Sequence, residues 1–281
     1  MTAAQRAPTI WIEVPGGRLA AEAEGDPGAP AILLVHSAVV NRRSWDGVVP
    51  RLLDAGYRVV RYDMRGFGES TSEDVDFKGH EDVLAVLDRL QIDRAAIVGN
   101  SMGAHFALDA VLAAPDRFRG YVWVGGGISG FEKDPTSDEM ALFEAEEAAE
   151  RAADWDLATE IDARIWVDGV GQPVTRVDPA VRMAFKAMDR ELLEPGRVYG
   201  NRQKADEPAI GRLVTVRVPT LVVIGDLDTA GTRAAAERLA ADVPGARLIH
   251  LPDVAHMVGM EKPDELAAMI VEHLAPQPRW S

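Results

Sequence analysis

Short apolar runs rich in Val and Ile recur along the first half of the chain, each bounded by Gly, Pro or Asp. They are Thr9–Val14, Ala31–His36, Arg58–Asp63, Ala95–Gly99 and Tyr121–Val124, and two more, Thr220–Gly225 and Arg247–Leu251, follow much later. Several are apolar almost throughout instead of alternating, which is the pattern of strands buried on both faces of a parallel sheet. Between them the apolar positions change to helical spacing. In Glu81–Leu90 the residues Val83, Leu84, Val86, Leu87 and Leu90 share one face, and Ser101–Ala114, Arg233–Ala241 and Pro263–Leu274 repeat the pattern. Strand alternating with helix predicts an α/β fold, a mainly parallel sheet flanked by helices.

The alternation stops at about Gly130 and resumes near Val218. The stretch between is helical in pattern, with helices expected over Met140–Ala153, Leu157–Trp166 and Pro179–Leu193. This divides the chain into a core of residues 1–130 and 218–281 and a helical insertion over 131–217. Residues 131–162 carry 12 acidic and only 2 basic side chains. Such a run reads as a solvated helix face, and equally as the wet side of a lid over a site. Trp155 and Trp166 would then face the core or the pocket.

Charge and composition narrow the partners. The 281 residues include 30 basic and 45 acidic side chains, a net charge of −15, so nothing supplies the clustered cations that a nucleic-acid backbone requires. The absence of cysteine excludes disulfides, a thiolate metal site and a cysteine nucleophile. The six histidines are scattered, so neither a metal nor a cofactor is expected. No apolar run approaches the roughly 18 residues of a membrane span. Met1–Pro8 has one Arg and no apolar core, unlike a secretory signal. The expectation is a soluble, cytoplasmic protein acting on a small molecule.

The chemistry is carried first by Gly99-Asn100-Ser101-Met102-Gly103, set between a predicted strand and a predicted helix. That context is the one a G-x-S-x-G nucleophile elbow requires: the serine sits on a sharp turn and its neighbours two residues away must be small. The helix opening there also aims free N–H groups and a positive dipole end at a developing oxyanion. A serine hydroxyl needs a base to take its proton, and the base needs an acid to orient it. His256 follows the last strand and precedes the last helix, whereas His250 lies in that strand, His105 and His273 lie in helices, and His80 precedes one. For the acid, Asp228 is the first choice and Asp226 the reserve, both at the end of Thr220–Ile224. The order Ser101, Asp228, His256 differs from that of chymotrypsin or subtilisin and is the order of the α/β-hydrolases.

Over nearly its whole length the chain resembles the α/β-hydrolase superfamily. Val35-His36-Ser37-Ala38 through Ser44-Trp45 is similar to its H-G-x loop, and Asp63-Met64-Arg65-Gly66-Phe67-Gly68-Glu69-Ser70 to its D-x-R-G-x-G-x-S turn. Asp228 matches the acid of G-x-x-D, and His256, Glu261 and Pro263 match the closing H-x4-E-x-P. The resemblance implies an oxyanion hole formed by the backbone N–H groups of Ala38 and Met102, and a helical cap over about 131–217.

One departure stands out: the usual His-Gly is His36-Ser37 here, as in the 3-oxoadipate enol-lactonases, while the Asn100-Ser-Met-Gly elbow is shared with the meta-cleavage carbon–carbon hydrolases. Ser37 either donates a hydrogen bond near the oxyanion loop or fits the turn. Arg42 and Arg43 in the same loop either receive a substrate carboxylate or are surface arginines. His36 and Trp166 complete the candidates for substrate contact. Within the superfamily, dehalogenases and epoxide hydrolases resemble one another in using Asp at the elbow, and Ser101 argues against both. The leading reading is a serine hydrolase of a small carboxylic ester or lactone. Carbon–carbon hydrolysis of a meta-cleavage-type diketone, hydroxynitrile lysis, perhydrolysis and a non-hydrolytic receptor that keeps the pocket are the alternatives.

Overall fold

A computed structural model describes residues 7–193 and 195–275. The Met1–Pro8 segment weighed as a leader falls mostly outside them. The main sheet contains β1 (Ile10–Val14), β2 (Gly17–Glu24), β3 (Ala31–Val35), β4 (Arg58–Tyr62), β7 (Ala95–Asn100), β8 (Phe118–Val124), β10 (Thr220–Gly225) and β11 (Arg247–Leu251) in the order β1-β2-β4-β3-β7-β8-β10-β11, with the two-residue β5 (Thr71–Ser72) added to β2. Every pair from β4 to β11 is parallel, and only the β1–β2–β4 edge and β5 pair antiparallel. Short β6 (Asp76–Phe77) and β9 (Asn201–Arg202) form a separate parallel pair.

The apolar strands have two buried faces to fill. Leu33, Ile97, Trp123 and Val222 join the core cluster beneath α2 (Gly79–Arg89), α3 (Met102–Ala113) and α7 (Ala230–Asp242). Their neighbours Ile32, Leu34, Val98 and Val223 turn to the opposite face, against α1 (Val49–Asp54), α8 (Val258–Glu261) and α9 (Pro263–Leu274). Period-two alternation of side chains therefore gives an apolar residue at every position. β2 was not expected. Its sequence, GRLAAEAE, consists largely of good helix formers, but the turn at Gly16 (φ +68°) folds it back on β1, and sheet pairing overrides local propensity.

Between β8 and β10 the chain leaves the sheet for α4 (Ser137–Arg151), α5 (Trp155–Asp162) and α6 (Pro179–Leu192). The helix expected through Trp166 instead widens into a π-helical turn over Ala163–Asp168. Ala209, Leu213 and Val216, near the end of this stretch, pack in the main core cluster. Among the described residues no helix is long and apolar enough to cross a membrane.

Candidate active site

Three loops converge at the carboxyl ends of β7, β10 and β11, the edge at which open α/β sheets place their ligands. Ser101 follows β7 with φ 56° and ψ −119°, a conformation that strains a side-chain-bearing residue, and α3 begins at the next residue. The flanking glycines are required by contact. A Cβ on Gly99 would lie 2.4 Å from the Gly103 carbonyl oxygen, and one on Gly103 would lie 2.3 Å from that of Val35. The first N–H groups of α3, starting with Met102, have no acceptor within the helix and face the serine turn.

His256 is 2% exposed, and its Nδ1 lies 2.8 Å and 3.0 Å from the two carboxylate oxygens of Asp228. Asp226 points elsewhere: it pairs with the exposed His250, whose other ring nitrogen meets Glu237. Ser101 and His256 line one cavity of about 410 Å³ together with Trp166, Phe131, His105 and Arg202. The ring of Trp166 lies 4.8 Å from that of His256. Among the described residues no group of three or more His, Asp or Glu side chains is placed to hold a metal ion.

A model of the alpha/beta hydrolase family matches residues 32–269. The chain belongs to this family. Rhodomycin D methylesterase of Streptomyces peucetius is 27% identical over 308 residues, covering 95% of this chain and 98% of its own length. A 3-oxoadipate enol-lactonase of Acinetobacter baylyi is 26% identical, covering 89% and 90%. The crystal structure of a hydrolase from Pseudomonas aeruginosa superimposes with a TM-score of 0.75 at 27% identity, over 95% of this chain and 98% of that one.

In this hydrolase the other loop candidates fall into two groups. His36 is fully buried; its Nδ1–H donates to the Ser37 carbonyl at 2.7 Å and its Nε2 accepts from the Met64 N–H at 2.9 Å. Burial lowers its pKa and keeps the ring neutral, which this one-donor, one-acceptor pattern needs. His36 thus ties the loop bearing Ala38 to the turn after β4 and does not line the Ser101 cavity. Ser37 is buried beside it and does not line the cavity either.

Arg42 is not a surface arginine. It is 7% exposed and held by Glu22 (3.0 Å), Asp63 and Glu69 (2.5 Å), while Arg61 pairs with the other oxygen of Glu22. Asp63 also accepts the backbone N–H groups of Arg42 and Glu69. The Asp63–Ser70 turn is therefore a knot of buried charge, and Gly68 lies so close to Asp63 that a Cβ would strike its carboxylate at 2.2 Å. Arg43 is half-exposed and bound to Glu191 at 2.7 Å. Neither arginine reaches the cavity of Ser101, so the carboxylate-receiving role considered for them does not fit their placement.

Several further residues support the site, some from the motifs, as Asn100 and Glu261 are, and some from outside them. Gly125 (φ +52°) lies behind the acid–base pair, where a Cβ would come within 2.9 Å of an Asp228 oxygen and 3.3 Å of His256 Nδ1. Asn100 Nδ2 donates to the carbonyls of Val124 and His256. Glu261 accepts the Ala255 N–H at 3.0 Å and pairs with Arg176, which also donates to the carbonyls of Val167 and Asp168 at the end of the π turn. Glu139, in the capping box of α4, accepts the Ala230 N–H and so ties the helical segment to the Asp228 loop. The links from Asn100 to His256, from Gly125 to Asp228 and from Glu139 to Ala230 each span more than 90 residues, and only the folded structure brings them together.

Proposed function

We propose that this hydrolase cleaves a small neutral carboxylic ester or lactone through an acyl-enzyme formed on Ser101. The observation that carries the reading is the strained Ser101 at the start of α3, sharing a cavity with a His256 whose Nδ1 rests on Asp228. Ser101 Oγ attacks the carbonyl carbon while His256 Nε2 takes its proton. Asp228 keeps the other ring proton on Nδ1 and stabilises the imidazolium. The carbonyl oxygen becomes an oxyanion and is received by the N–H groups of Ala38 and Met102. As the carbon–oxygen bond to the alcohol breaks, the proton passes from His256 to the departing oxygen. Water, deprotonated by the same histidine, then attacks the acyl-enzyme, frees the acid and restores Ser101.

Ester and lactone cleavage is supported by the names of the methylesterase and enol-lactonase relatives. Arg42 and Arg43 are occupied by this chain's own carboxylates, so a substrate needs no carboxylate to match them. The segment over 131–217 serves as a lid, with Trp166 lying against His256 and excluding water from one side of the site. The test is a panel of aryl esters, γ- and δ-lactones and a dienoic diketone, run with and without a serine-directed phosphonate. Phosphonate-sensitive turnover of esters or lactones is expected. Turnover of the diketone alone would replace this reading with carbon–carbon hydrolysis.

A further inference from the structure

A second cavity, of about 260 Å³, adjoins the first on the oxyanion side. Its lining includes Ala38 and Met102, the two proposed oxyanion donors, together with the rings of Phe67, Phe77, Phe106 and Tyr199. Met102 and Arg202 line both cavities and form the wall between them, with Arg202 Nη1 2.7 Å from the Met102 sulfur. The position of Arg202 follows from the small β6–β9 pair, which sets it in register beside Phe77. Its guanidinium meets no carboxylate among the described residues; it has the weakly accepting sulfur and lies 6.0 Å from the centre of the Phe106 ring.

The chemistry fixes which part of a substrate faces this chamber. Around the tetrahedral carbon on Ser101, the oxyanion points to Ala38 and Met102. The leaving oxygen must lie beside His256, which protonates it, and that histidine belongs to the first cavity. The remaining substituent, the acyl group, is left the direction past Met102. An apolar cavity of about 150 Å³ is large enough to bind benzene, so the second chamber has room for one ring. Aromatic walls favour a flat apolar group, and a guanidinium at the mouth lies well against the face of an aryl ring.

We infer that the chamber bounded by Phe67, Phe77, Phe106 and Tyr199 receives an aryl ring carried on the acyl side of the substrate, with Arg202 stacked at its mouth. This rests on the acyl-enzyme reading above. Substrates of this class are phenylacetyl-type esters and lactones, and a saturated ring of the same size fills the chamber without gaining the cation–ring contact.

The experiment compares kcat/KM for p-nitrophenyl phenylacetate, cyclohexylacetate and acetate in the wild-type protein and in Phe77→Trp and Arg202→Met. The wild type should prefer phenylacetyl to acetyl by at least about tenfold. Phe77→Trp, which fills the chamber, should cut that ratio about tenfold. Arg202→Met should lower the phenylacetyl-to-cyclohexylacetyl ratio by about two- to fivefold, the range of an exposed cation–π contact. A measurement on the wild type alone guards against misfolded variants: a benzyl phosphonate should inactivate at least tenfold faster than its methyl counterpart, since the phosphorus substituent mimics the acyl group. Acetate turnover and Ser101 phosphonylation with no aryl preference would overturn the chamber assignment and leave the acyl-enzyme standing. Absence of both would overturn the acyl-enzyme itself.

Discussion

Replacing Arg42 with alanine separates a structural role from a substrate-binding one. In the fold the guanidinium sits among Glu22, Asp63 and Glu69, of which Glu22 is 3% exposed and Asp63 fully buried. The three carboxylates hold the Arg42 pKa above its usual range, and Arg61 pairs with the other oxygen of Glu22. Alanine leaves Asp63 buried with only backbone donors, and Glu22 with Arg61 alone. Breaking a buried pair from one side costs about 3–5 kcal/mol, because a charge remains without its partner. The contact to Glu69 adds little, since that carboxylate is largely exposed. With an unfolding entropy of about 2.1 cal/mol/K per residue, the 281-residue chain should lose about 5–8 °C in Tm. Scanning calorimetry measures the shift, and kcat/KM for a lactone carboxylate and for its methyl ester measures selectivity. A large fall in Tm with the selectivity unchanged is expected. A Tm within 2 °C of wild type, with a tenfold loss confined to the anionic lactone, would refute the structural role and return Arg42 to the substrate.

Two other outcomes follow from side chains already placed. Asp228→Asn should lower kcat by about 10³–10⁴, because the amide cannot hold His256 in the tautomer the serine needs, whereas Asp226→Asn should cost less than about threefold; steady-state kinetics on one ester compares them. In the helical segment, burial and then the neighbouring Asp189 push Asp162 up to about 8, and burial first of all pushes Asp189 and Glu146 up to about 7. The folded protein therefore holds protons that the unfolded chain has already released, and its stability falls as pH rises through these values. His36 and His273 act with the opposite sign, but burial sets them below 6.5, so their contribution is complete by pH 7. Tm should thus drop between pH 7 and pH 9, and Asp162→Asn, which still accepts from Trp166 Nε1–H, should flatten the drop.

The parallel strands were legible because a sheet covered on both faces needs an apolar residue at every position, and few other structures write that pattern. Pro263–Leu274 was read to the residue because proline starts the helix and its apolar face is continuous. β2 was missed because alanine and glutamate say nothing of a hairpin partner. Ser101 was readable from its glycines, whose backbone contacts are local. The partners of Arg42 and Arg43 were not legible for the reverse reason: the carboxylates that claim them come from β2, the Asp63–Ser70 turn and α6, and a guanidinium's partner leaves no mark in its own neighbourhood. The aromatic chamber was invisible on the same ground, since Phe67, Phe77, Phe106 and Tyr199 come from four separate segments.

Whether Ser101 carries the acyl group is decided by intact-protein mass spectrometry after exposure to a fluorophosphonate. One phosphonyl adduct per chain is expected, mapped to the peptide containing Ser101, with loss of both adduct and ester turnover in Ser101→Ala. An adduct and turnover that persist in Ser101→Ala would contradict the assignment.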